Sequence, residues 1–309
     1  MKMTSQSSND VMKGIMWAIL ASASFGVSGT VLQFASQNEA IPASWFLSAR
    51  TLTCGIILLV LGFCMYGKHI FDVFKDKTSI MWLFAYGVFG LGANLLTFYK
   101  SIQSGNSAAS TILQYLAPIF IVIGGVIFKH HKPVASDLLV FGIALLGVFL
   151  SITKGNIYQL DIPVNSLIWG IFSGITAALY VTLPRPLLKH HHPIIILGWG
   201  TFICGILFNL NHPIFSNAPT LKSGVILSVL ATVILGTIFP FLSILHASKF
   251  ASSEVVSLVD ATQPVVTFIL SIIFFHIQIN FVEILGTVLV ILAIYLLQFF
   301  HHRMALGSN

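Results

Sequence analysis

The chain has 309 residues, of which 56% are apolar and only 8% charged, with a formal net charge of +6 and a mean hydropathy of +0.94. Soluble proteins carry roughly 25% charged residues. A water-soluble globule is therefore excluded, and the surplus apolar surface must face lipid. In lipid every backbone polar group needs a partner within the structure, so only helices or closed barrels can span. Runs such as Ile56–Cys64 and Ile284–Leu297 are apolar on all faces, where a barrel strand would alternate, so the spans are predicted to be helices.

Met1–Asp10 is polar, and the apolar stretch after it carries Lys13 and runs past Phe25 with no small-residue cleavage site followed by a soluble domain. It is predicted to be a retained first helix rather than a removed leader. Turn residues and charges then divide the chain into ten apolar segments: 11–35, 42–65, 78–103, 107–129, 134–152, 164–184, 193–210, 222–247, 252–275 and 279–300. Each is near the ~20 residues that a helix needs to cross a ~30 Å hydrocarbon core. The links are short, so neighbours run antiparallel and no extramembrane domain is expected.

Ionisable and polar groups inside these segments are the functional candidates, because burying them in lipid is costly unless they face a cavity or a partner. In the first helix, Gly26-Val27-Ser28-Gly29 spells an intramembrane serine-protease tetrad. No histidine at that depth would activate the serine, so the match is set aside. Arg50 lies eight residues into the second segment and Asp260 eight into the ninth. Each is about 12 Å deep by the helical rise, from opposite ends, so a pair lining a cavity and holding a zwitterion is predicted, against a purely structural ion pair. Gln114, Tyr115 and Gln263 lie within a turn of Pro118 and Pro264 and offer neutral hydrogen bonds; Pro118, Pro240 and Pro264 are predicted hinges. Tyr99, Trp17, Trp169 and Tyr180 are candidate cavity aromatics, weighed against interfacial packing. Glu254 and His246 flank the 248–252 loop and are candidates, with Asp260, for proton coupling or a gate; helix capping is the alternative. Cys54, Cys64 and Cys204 fall inside segments without metal-ligand spacing, and the histidine runs at 130–131, 190–192 and 301–302 lie in loops or the tail, so no metal site is predicted.

Charge asymmetry sets orientation. With the N-terminus in the cytoplasm, eleven Lys and Arg residues fall inside, while Lys100, Lys154 and Lys222 fall outside. Both termini are predicted to be cytoplasmic, and the basic balance needs no nucleic-acid partner. A shift of 146 residues lays Ser107 on Ser253, Pro118 on Pro264, Phe128 on Phe274, His130 on His276 and Gly90 on Gly236, and a shift of 152 lays Trp17 on Trp169. Five helices per copy is an odd number, so the copies are expected in opposite orientations, as 1–155 and 156–309. Inverted repeats with a midplane site are an architecture of secondary transporters.

The run from Gly90 to Phe120, with Ile41-Pro-Ala-Ser-Trp-Phe-Leu-Ser-Ala-Arg50, resembles the EamA-type family of the drug/metabolite transporter superfamily; Ala251–Pro264 repeats the pattern more loosely. The resemblance covers residues 11–300 and implies a ten-helix carrier with a central cavity. Where many members carry glutamate after the fourth and ninth helices, this chain has Lys129-His130-His131 and Phe275-His276, and Gln263 stands where a glutamate often precedes the second proline.

The prediction is thus an all-α, multi-pass protein of a prokaryotic cytoplasmic membrane, with no cofactor and no catalytic constellation. It moves a small polar metabolite, an amino acid or related zwitterion, by alternating access, with proton coupling and export as further expectations. The alternatives are a carrier or flippase of a drug, organic ion, nucleoside or lipid-linked sugar, a passive channel, and a non-transporting scaffold. Its expected partners are the substrate, the bilayer and protons, and its expected state a monomer or weak homodimer.

Overall fold

In the computed structural model the residues described are 8–129, 135–156, 160–216, 218–220, 222–251, 255–256, 259, 261–278 and 280–307. Every regular element among them is helical. Helix α1 (Ser8–Gln33) runs on into a π-helical turn, Phe34–Asn38. Helix α2 (Ala43–Tyr66) opens behind Pro42 and stops at Gly67, whose φ of 58° is one that glycine adopts without strain. Asp76 caps α3 (Lys77–Ala85), its carboxylate accepting from the Ser79 N–H at 2.8 Å. That bond holds the Asp76 carboxyl below the usual carboxylate range. A π-helical turn, Tyr86–Gly92, joins α3 to α4 (Ala93–Ser104) in one rod. Then come α5 (Ser107–Gln114), α6 (Ala117–Lys129), α7 (Ala135–Thr153), α8 (Val164–Thr182), the single turn α9 (Arg185–Leu188) and α10 (Pro193–Asn211). A third π-helical turn, Ile234–Ile238, joins α11 (Ser223–Val233) to α12 (Phe239–Ala247), and α13 (Gln263–Phe275) and α14 (Phe281–Gly307) close the chain.

Among the described residues seven helices are long and apolar enough to cross a bilayer, and Leu139–Thr153, Gln263–Phe275 and Phe281–Leu296 are shorter apolar helices. Apolar side chains point outward: Phe89 is 61% exposed and Leu227 64%, as a lipid-facing wall requires. Most observed helix ends fall close to the predicted segment ends where both are described, but the last helix runs on to Gly307, past the predicted 300. Further differences lie inside the segments. The predicted helix 107–129 is two pieces broken at Tyr115–Leu116, and two of the long rods carry π-helical turns.

We call the end of the molecule where α1 begins the near end and the end where it finishes the far end. Helix α2 packs on α10, and α7 on α14. The remaining main contacts come in exchanged pairs: α1 packs on α12 and α13, and α8 packs on α4 and α6 and also on α5. A shift of about 150 residues converts each member of a pair into the other. Glycine makes the closest approaches. A Cβ at Gly55 would lie 2.7 Å from the Phe202 backbone, and one at Gly205 would lie 2.8 Å from the backbone of Leu52. Lipid supplies no hydrophobic drive between helices, so backbone-to-backbone packing of this kind is what holds them.

Candidate functional site

A cavity of about 820 Å³ lies in the middle of the helices, bounded by α1, α2, α4, the α5–α6 break, α8 and the π-helical turn Ile234–Ile238. Its size suits a small molecule, for which sites run to roughly 300–1,000 Å³. Its walls are largely apolar, with Leu91, Leu95, Phe98 and Phe241 among them. At the far end its lining residues Leu32 and Phe98 are buried, whereas at the near end Val181 and Arg185 are exposed. The cavity opens toward the near end.

Arg50 reaches the cavity from α2 and is 6% exposed. Its Nη2 donates to the Gly236 carbonyl and to Thr237 Oγ1, both at the long distance of 3.4 Å. Among the described residues no carboxylate comes within ion-pair distance of it. The π-helical turn explains the geometry, because an extra residue in the turn interrupts the ordinary i→i−4 ladder where Gly236 faces the guanidinium. A methyl added at Gly236 would overlap Ser28 Oγ and lie 3.1 Å from Arg50 Nη2. The other lining guanidinium, Arg185, stands at the near-end mouth.

The other polar groups among the described lining residues are neutral. Gln114 Nε2 donates to Ser173 Oγ at 3.1 Å and to Asn94 Oδ1 at 3.4 Å, and Asn94 Nδ2 donates to the Ser173 carbonyl at 3.2 Å. Tyr115 OH donates to Gln263 Oε1 at 3.1 Å, tying the α5–α6 break to the start of α13. Pro118 and Pro264 both sit in the first turn of the helix that restarts after a break, where a missing N–H costs least. Pro118 lines the cavity, and buried Pro264 follows lining Gln263. Pro240 opens α12 just after the π-helical turn.

Of the predicted site residues, Arg50, Gln114, Tyr115, Gln263 and Tyr180 line the cavity, with Tyr180 packed 5.7 Å from the Tyr86 ring centroid. Asp260 and Glu254 lie outside the described residues. Four others are placed elsewhere. Tyr99 is 1% exposed, packs on Phe46, and donates its hydroxyl to the Ile41 carbonyl at 2.8 Å, so helix rotation turns it into the far-end core. Trp17 packs edge-on against His246 at 4.8 Å near the start of α1. His246 thereby takes part in an apolar α1–α12 contact. Trp169 lies beside Phe172 on α8, off the cavity wall.

Sequence reasoning missed Ser28, Asn94, Thr237 and Arg185, all of them on the wall. Ser28 belongs to the tetrad set aside above. Its small flanking residues, Gly26 and Gly29, touch Val266 and Thr267 of α13 and bring the serine against the cavity. Gly236 was visible only as the repeat partner of Gly90. Both glycines fall in π-helical turns, one in each half of the chain.

The model of the EamA-like transporter family matches residues 12–153 and again 164–299. The chain is 27% identical over 296 residues to an uncharacterized inner membrane transporter, YicL, of Salmonella typhimurium, covering 95% of this chain and 97% of that one. It is 25% identical over 303 residues to an uncharacterized transporter, YrdR, of Bacillus subtilis, covering 94% and 92%. A crystal structure of another protein superposes with a TM-score of 0.61 at 15% identity over 96% of this chain and 99% of that one, a likeness of fold.

Proposed function

Because the chain belongs to the EamA-like transporter family, an integral, multi-pass membrane transporter and not an enzyme, we propose that it is a secondary carrier working by alternating access. The carried molecule is a small polar metabolite bearing a carboxylate, with amino acids as the reference class. One observation supports this reading above the others: a buried intramembrane guanidinium, Arg50, in a cavity walled by both halves of the chain. Ten spans in two inverted five-helix units, 1–155 and 156–309, with both termini cytoplasmic, give this arrangement its mechanism. The exchanged helix contacts and the twofold family match support it. Rocking one unit against the other would close the near end and open the far end around Arg50.

Counterflow in proteoliposomes tests the proposal. A carrier loaded with unlabelled substrate takes up label faster than an empty one and saturates. A channel shows no trans-stimulation, and a scaffold moves nothing. Impermeant labelling of tags at both termini from one side only would overturn the ten-span arrangement if just one of them reacted. Proton coupling is a further part of the proposal; unchanged pH dependence of uptake in Asp260→Asn would remove Asp260 from it.

A further inference from the structure

Resting on the carrier reading, the charge distribution of the cavity narrows the class of substrate. Two guanidinium groups line it, and among its described lining residues there is no carboxylate. Arg50 is the more informative of the two. Among the described residues Arg50 has no counterion; a charge so buried in a membrane protein is costly, and the cost falls when an anion arrives with matching geometry. Its two neutral contacts, each 3.4 Å long, leave most of the guanidinium fork unused. Ser28 Oγ lies against the same Gly236 backbone, and Thr237 offers a second hydroxyl, so three side chains from α1, α2 and the π-helical turn converge on one spot. Arg185 at the open mouth adds a positive field along the entry route, which draws anions inward and repels amines. Asn94 and Gln114 line the same cavity and carry neutral amides, bonded to each other and, through Gln114, to buried Ser173 behind the wall. Those groups suit an uncharged keto, hydroxyl or amide function. Much of the remaining wall is apolar, with Leu91, Leu95 and Phe98.

We infer that the substrate is an organic monoanion whose carboxylate is held by Arg50 with Ser28 and Thr237, and whose remaining body is apolar and uncharged. A 2-oxo or 2-hydroxy acid fits this description better than a free amino acid or an amine. The ammonium of an amino acid would enter a cavity whose described lining carries two guanidinium groups and no carboxylate.

The test measures binding on the purified full chain in micelles, independently of transport, by thermal shift and titration calorimetry. The probes share one skeleton: 4-methyl-2-oxopentanoate, 4-methylpentanoate, leucine and 3-methylbutylamine. The two acids are expected to bind at least about tenfold more tightly than leucine, with the amine weakest. Arg50→Gln should weaken the acids by about tenfold to a hundredfold, as expected for losing a charge-assisted contact. Arg50→Lys keeps the charge without the fork and should restore part of that loss. Should Arg50→Gln not fold, Ser28→Ala and the wild-type ranking of the four probes decide the matter. Leucine or the amine binding as tightly as the acids overturns the inference, as does the absence of acid binding. Acid binding without counterflow would leave the site standing while ending the carrier reading.

Discussion

The two ends of the helix bundle are closed by different chemistry. At the far end directional polar bonds cross between helices. Gln33 Oε1 accepts from the N–H and Oγ of Ser107 at 2.9 and 2.8 Å, and Ser107 Oγ meets Ser271 Oγ at 3.0 Å. Gln37 Nε2 donates to the carbonyls of Ile102 and Gly105, and Lys154 pairs with Asp161 at 2.8 Å and approaches Glu283 at 3.4 Å. Burial works against the charged Lys154 ammonium, but the bond to Asp161 and the nearby charges outweigh it and raise its pKa. At the near end the described contacts are mostly apolar or between rings, such as Trp17 on His246 and Tyr66 on His192, and the cavity reaches exposed Arg185. Numbering explains the contrast. Gln33 and Arg185 are related by the same 152-residue shift that relates Trp17 to Trp169. One is engaged in a closed end, while its counterpart stands at an open mouth. An end held by a few exchangeable hydrogen bonds can let go without rebuilding a packed core, as alternating access requires.

The comparison breaks most directly at Gln33. Gln33→Leu strands the buried Ser107 N–H, at about 1–3 kcal/mol, and leaves the Ser107 hydroxyl with Ser271 alone, and the molecule can relieve this by opening the far end. Impermeant thiol labelling reads the outcome: a cysteine at Leu32 should be protected from the far side in the parent and react in Gln33→Leu, while one at Val181 reacts from the near side in the parent. Equal labelling of Leu32→Cys in both backgrounds would mean that Gln33 holds nothing shut.

Lys154→Met removes the cation beside part-buried Glu283 and should lower stability by about 1–3 kcal/mol, seen as a lower melting temperature. Gly236→Ala drives a methyl toward Ser28 and Arg50, and overpacking of this kind costs about 1–3 kcal/mol. Its distinguishing effect is weaker acid binding with the labelling pattern unchanged, since Gly236 lies at the cavity and at neither end. Tyr99→Phe loses one hydroxyl bond to the Ile41 carbonyl, worth about 0.5–1.5 kcal/mol. Substrate affinity should stay at the parent value in this variant. A change in affinity would return Tyr99 to the site.

The sequence by itself determined that the chain folds as a set of apolar helices and, for most of them, roughly where they stop. Apolar length, charges at the ends and turn residues are local signals, and lipid enforces them on every helix independently. It also singled out Arg50, because a charge at that depth is conspicuous on any helix face. What it left undecided was rotation. These helices are apolar almost all round, so no polar stripe marks the inward side, and aromatic residues such as Tyr99, Trp17 and Trp169 could as well have faced the cavity as the core. Only tertiary packing sets that angle, through close glycine contacts such as Gly55 on Phe202 and Gly26 on Val266, and through the π-helical turns Tyr86–Gly92 and Ile234–Ile238, which change the helix register within a rod. The same packing brought Ser28 and Thr237 beside Arg50. The physical reason is that burial in lipid depends on what each residue is, whereas a binding site depends on which way each residue points.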